Sequence, residues 1–118
     1  MKRILLSVTT DASGDGSTKQ SLGAVMGLLY AVQLVDGSFD DGVDVTLTAE
    51  QGDLAIPLLV KADFNSDQMV YPRVLEALNT DGTALSTHTM PLVAGSLKAL
   101  VAAGGNVKTG SFIFYVIE

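Results

Sequence analysis

The aspartates are the first residues of this 118-residue chain whose types and spacing could do chemistry. Asp11-Ala12-Ser13-Gly14-Asp15-Gly16 has the D-x-S-x-D-G opening of an EF-hand loop. Oxygens at alternate positions of such a loop converge on Ca²⁺, and the glycine permits the turn. The twelfth position, where a bidentate Glu should close the site, is Leu22. Asp63-Phe64-Asn65-Ser66-Asp67 repeats the spacing without the glycine, and Asp36, Asp40, Asp41 and Asp44 form a third acidic group. Asp, Asn and Ser also occupy turns because their side chains bond the local backbone. With the ligand pattern incomplete, turn chemistry is the expected role and no metal is expected.

The other reactive residue types are sparse. There is one histidine, His88, and no cysteine. Zinc needs three or four ligands, and His88 supplies a single good one. No G-x-S-x-G elbow holds a serine nucleophile, so His88 reads as an exposed strand or loop residue. Gly14-Asp15-Gly16 and Gly104-Gly105 lack both the G-x-G-x-x-G pattern and a Walker lysine in register. Carboxylate pairs for sugar chemistry would want an aromatic rim, and the chain has no tryptophan. The expectation is therefore a protein with no catalytic residue, no cofactor and no enzymatic activity.

Charge narrows the partners. Thirteen acidic residues face seven basic ones, and the basic residues are scattered along the chain. A phosphate backbone or an anionic bilayer calls for clustered Lys and Arg, so neither nucleic acid nor membrane is an expected partner. The longest apolar stretch, 23–35, is interrupted by Gln33 and falls short of the roughly 20 residues a membrane helix needs. The opening MKRILLSVTT has too short an apolar run for a signal peptide and reads as a first strand.

The elements that must position these residues are strands. Gly and Asp punctuate the chain at Asp36-Gly37, Asp41-Gly42, Gly52-Asp53, Asp81-Gly82 and Gly104-Gly105-Asn106. Runs of about 6 to 12 residues rich in Val, Leu, Thr and Ile lie between such signals. The spacing predicts an all-β fold, a single-domain β-sandwich or barrel over 1–118 with about seven to nine mostly antiparallel strands. The polar stretch 9–21 is the predicted loop.

Val43-Asp44-Val45-Thr46-Leu47-Thr48 alternates strictly, which puts Val43, Val45 and Leu47 on one buried face. Ser111 to Ile117 has the strongest strand propensity, and its continuous apolarity suggests burial on both faces, or one face in a core and one against a neighbour. Pro57 and Pro72 suit edge strands or bulges, because proline lacks the N–H a central strand needs. Two stretches leave helix and strand open. A strand from about Gly27 is favoured within 20–35, and one from Ser96 to Ala102 within 91–103, since Gly23, Gly27 and Gly95 weaken the helices.

Charged residues are only 17% of the chain, against about 25% in soluble domains. A monomer of this mass exposes roughly 6,000 Å², which so few charges cover thinly. Leftover exposed apolar area marks a contact surface. The candidate contacts are Phe112, Phe114 and Val116 on the last strand and Ile4, Leu6 and Val8 on the first, residues that suit a core equally well. Tyr71 and Arg73, in Tyr71-Pro72-Arg73, are of types enriched at interfaces.

Four segments carry a family resemblance: MKRILLSVTTDASGDGS, GLLYAVQLVDGSFDDGVDVTLT, VYPRVLEALNTDGTAL and PLVAGSLKALVAAGGNVKTGSFIFYVIE. With a polar early loop, a G-V-D-x-T-x-T run, a Y-P-R and a final G-G-N-x-K-T-G hairpin, the chain resembles small virion structural proteins of tailed bacteriophages. The resemblance implies an all-β subunit of the particle, assembled in the bacterial host cytoplasm and located in the virion. Its expected partners are further copies of itself and the major capsid or other virion proteins. A capsid decoration subunit is the leading expectation, because an acidic chain suits the exterior better than the DNA-facing lumen. A neck or tail component and a small ligand- or carbohydrate-binding β-module are the alternatives.

Overall fold

The alternation at 43–48 becomes the start of a long strand, and its neighbours follow the same rule. The computed structural model of the chain describes residues 1–20, 24–75, 80–83 and 86–118. Its strands are β1 (Lys2–Thr9), β2 (Gly16–Lys19), β3 (Val25–Val35), β4 (Val43–Gln51), β5 (Leu54–Phe64), β6 (Gln68–Val70), β7 (Val74–Leu75), β8 (His88–Thr89), β9 (Leu92–Ala102) and β10 (Thr109–Ile117). The fold is all-β and antiparallel, with no helix among the described residues. Both ambiguous stretches are strands, each starting earlier than the sequence suggests. β3 begins at Val25 and β9 at Leu92.

Eight strands join into one hydrogen-bonded sheet in the order β1-β10-β3-β9-β4-β5, with β2 also on β9 and β6 also on β3. It folds into two layers. β1, β10, β3 and β6 make the first, and β2, β9, β4 and β5 make the second. β9 belongs to both: residues 92–95 pair with β3, and residues 96–102 pair with β4. The handover falls at Gly95, whose φ of +115° and close approach to the Glu50 carbonyl leave no place for a Cβ.

One hydrophobic cluster fills the space between the layers. Val43, Val45, Leu47 and Ala49 from β4 meet Leu97, Ala99 and Val101 from β9, and Leu29, Val32 and Leu34 from β3 close the opposite wall. Ile4, Leu6, Val8, Phe112, Phe114 and Val116 all lie in this cluster. These six were contact candidates, and the structure corrects that placement: they face inward. The period of two fixes that alternate residues share a face but not which face is buried. On β10 the two phenylalanines and Val116 fill the core, and Ile113 and Tyr115 turn outward instead.

The predicted loop at 9–21 is also corrected. It contains β2, which pairs Gly16–Lys19 with residues 98–101 of β9. Gly-Ser-Thr-Lys has no apolar alternation to signal a strand, because this short edge strand has no fully buried position. The turn before it is pinned. Thr10 is fully buried; its hydroxyl donates to the Gly105 carbonyl at 2.6 Å and accepts from the Lys108 amide at 2.8 Å. Pro57 sits on β5 opposite Thr48, at a register shift on the outer edge of the second layer, as the missing N–H requires.

Candidate interaction surface

The acidic clusters resolve into turn chemistry. Asp11 Oδ1 accepts from the Ser13 amide at 2.8 Å and the Asp15 amide at 3.1 Å, closing the first loop on itself. Asn65 Oδ1 accepts from the Gly42 amide at 2.6 Å, Asp67 Oδ1 from the Asp36 amide at 2.8 Å, and Asp44 Oδ1 from the Asp63 amide at 3.1 Å. These bonds fasten the β3–β4 loop to the β5–β6 loop. Among the described residues no three His, Asp or Glu side chains converge as a ligand set. Leu22, the missing twelfth ligand, lies outside the described residues.

Crowding at this end raises the pKa of Asp36 above its ordinary value. Burial is the main cause, and the charges of Asp41 and Asp67 add to it. Its Oδ1 is buried and lacks a hydrogen-bond partner. The loops after β1, β3, β5 and β9 all meet here, since the Asp40 amide donates to the Gly104 carbonyl and the Gly104 amide to the Gly14 carbonyl. Asp11, Asp15, Asp36, Asp40, Asp41, Asp44, Asp63 and Asp67 share this end with Lys61 and Lys108. Eight acids against two lysines account for the whole formal net charge of −6.

Two concavities lie elsewhere. A cleft of about 480 Å³ runs between Lys2–Ser7 of β1 and the Thr18–Gln20 segment. It is the open seam between two edge strands, bridged where the Thr18 hydroxyl donates to the Ser7 carbonyl at 2.6 Å. His88 is exposed on β8 and pairs with Leu75 of β7.

The second concavity, of about 190 Å³, sits on the outer face of the first layer and is lined by Met1, Tyr30, Ala31, Met69, Tyr71 and Tyr115. All three tyrosines of the chain meet there. The register explains why. Arg3, Tyr115 and Ala31 form one row across β1, β10 and β3, and Leu5, Ile113, Gln33 and Met69 form the next, extended onto β6. A shift in the β10–β3 pairing after Tyr115 leaves Tyr30 as an extra residue and turns its ring outward. Tyr30 and Tyr71 pack edge to face at 5.8 Å. The Arg73 guanidinium lies 5.8 Å from the Tyr30 ring centre and donates to the Tyr30 carbonyl at 3.0 Å. The Tyr115 hydroxyl donates to Gln33 Oε1 at 3.2 Å.

This face is apolar well beyond the cavity. Leu28 pairs with both Ile117 and Leu92, and Met26 stands on the same side of β3. Together with Met1, Leu5, Tyr30, Met69 and Tyr71, they make nine of the fourteen large exposed apolar side chains among the described residues. Tyr71 is 55% exposed, Leu5 53% and Met69 44%.

Of the eight contact candidates, Tyr71 and Arg73 are the two on the surface, and the structure brings them together with Tyr30. Sequence reasoning missed Tyr30, Tyr115, Leu5 and Met69. The available signal was parity: if Phe112 and Phe114 face in, Ile113 and Tyr115 face out. No family model, no curated protein and no solved structure matches this chain.

Proposed function

We propose that the chain is a non-enzymatic structural subunit of a tailed-bacteriophage particle, a homo-oligomeric decoration protein that works by protein–protein contact on the capsid exterior. The observation that carries this reading is the apolar outer face of the first layer, which gathers all three tyrosines and two of the four methionines around one shallow cavity. Tyrosine, methionine and arginine are the types enriched at protein interfaces. The cavity, at about 190 Å³, is smaller than the roughly 300–1,000 Å³ typical of small-ligand pockets, which favours a flat macromolecular partner over a small ligand at this face. The concentration of negative charge at one end suits solvent outside a head, where it does not face packaged DNA.

The test is location and copy number. Antibodies raised against the chain should label the heads of intact particles, and quantitative protein staining should give hundreds of copies. About 5 to 12 copies at the head–tail junction would replace decoration with a closed connector ring. Absence from purified particles overturns the proposal.

A further inference from the structure

We propose that the tyrosine-lined face of the first layer, flanked by Arg3 and Arg73, docks the aspartate-rich loop end of a second copy, joining subunits head to tail. This rests on reading the chain as an assembly subunit and names the partner of its exposed face.

Charge complementarity identifies the partner. Arg73 stacks on Tyr30 at the cavity rim, and its guanidinium makes two hydrogen bonds through one nitrogen, to the carbonyls of Tyr30 and Pro72. A guanidinium carries five N–H donors, so donors remain for a carboxylate. Arg3 stands on the neighbouring strand in the same row as Tyr115 and is exposed. The opposite surface is the loop end that carries the full net charge. There the negative charges of Asp41 and Asp67 bear on Asp36, and Asp40 and Asp41 are exposed beside it. An incoming guanidinium supplies the missing positive charge and donors for these exposed carboxylates.

Geometry makes the contact intermolecular. Tyr30 and Asp36 are six residues apart along β3, about 20 Å at the usual strand rise. Among the described residues, no arginine forms an ion pair with an aspartate of its own chain. A two-fold pairing of the tyrosine face with itself would gather Arg3 and Arg73 of both copies into one interface, a concentration of like charge that opposes association. Two different surfaces meeting make a heterologous contact, which closes into a ring or continues as a filament.

The experiment uses sedimentation velocity on the purified full chain, so its outcome is independent of whether the chain is found in particles. At about 50 mM salt the wild type should form species larger than a dimer as concentration rises. Raising salt to about 0.5 M, where the screening length is only a few ångströms, should weaken association about tenfold or more. Arg3→Glu spoils one surface and Asp41→Lys the other; both positions are exposed. Each variant should melt like the wild type and sediment as a monomer. Mixed in equal amounts, they should form a one-to-one dimer and nothing larger, since one intact copy of each surface remains. A monomeric wild type at all concentrations, salt-independent association, or an Asp41→Lys variant that still pairs with itself overturns the proposal.

Discussion

The two layers present very different faces to solvent. On the second layer, β4 turns Asp44, Thr46, Thr48 and Glu50 outward beside Lys98 of β9 and Lys19 of β2. Glu50 bridges three strands there, with Lys19 Nζ at 2.9 Å and Lys98 Nζ at 3.4 Å. This is the alternation of apolar inside and polar outside that a half-buried antiparallel sheet needs. On the first layer the outward positions of β1, β10 and β3 hold Leu5, Ile113, Tyr115, Tyr30 and Leu28. The second layer follows this rule apart from Leu54, Val60 and Leu100, whereas the first layer breaks it across three strands. The low overall charge is not spread evenly, and most of the exposed apolar side chains among the described residues lie on the first layer.

The comparison can be broken most forcefully beneath the apolar face. Phe114→Ala, which empties a fully buried site, should lower unfolding free energy by about 3–5 kcal/mol in urea titrations. Its neighbour Ile113, turned to the outer face but also buried, should cost less: about 1.5–3 kcal/mol for Ile113→Ser. Equal losses would mean that the outer face is part of the fold's own core. Tyr71→Ser should change stability by less than about 1 kcal/mol, the worth of one edge-to-face ring pair, while lowering the fluorescence of a hydrophobic dye bound to the surface. A dye signal left intact would place the sticky area elsewhere.

The smallest effect belongs to the polar face. The hydrogen bond and charge of Lys19, with those of Lys98, hold the Glu50 carboxyl below its ordinary pKa of 4.5. A carboxyl with a depressed folded pKa stabilises the fold above its unfolded value, and that contribution disappears as pH falls through the folded one. Glu50→Gln should thus lower the melting temperature slightly at pH 7. The gap should narrow below pH 4.5 and in high salt. A gap that persists in acid would assign the effect to packing.

Much of the architecture was legible because strong alternation carries its own meaning. The 43–48 stretch gave a strand, its buried face and its polar face at once. Pro57 announced an edge because the ladder has no use for a residue without an N–H. What stayed hidden depended on distant parts of the chain. β2 has no fully buried position, so no apolar period marks it. Phe112 and Ile113 are both apolar, so hydrophobicity does not choose which one faces in; the volume the core must fill does. The tyrosine cluster needs Tyr30, Tyr71 and Tyr115 in register across separate strands, plus a pairing shift after Tyr115. None of that is written locally. The aspartate loops were easier, since Asp and Asn bonding to nearby amides is short-range chemistry.

Strand β9 has a consequence for how the molecule is made. It donates its first residues to one layer and the rest to the other, and it arrives late in the chain. Before it is in place, β3 lacks its bridge to β4, and β2 has no ladder at all. β1 must wait longer still, for a partner about a hundred residues downstream. Neither layer can mature as a free-standing half, so unfolding should be all-or-none. Such dependence on distant pairings belongs to the slow regime, on the order of milliseconds to seconds. A nascent chain would spend that interval with its inner strands open, and only the finished fold would leave a single adhesive side.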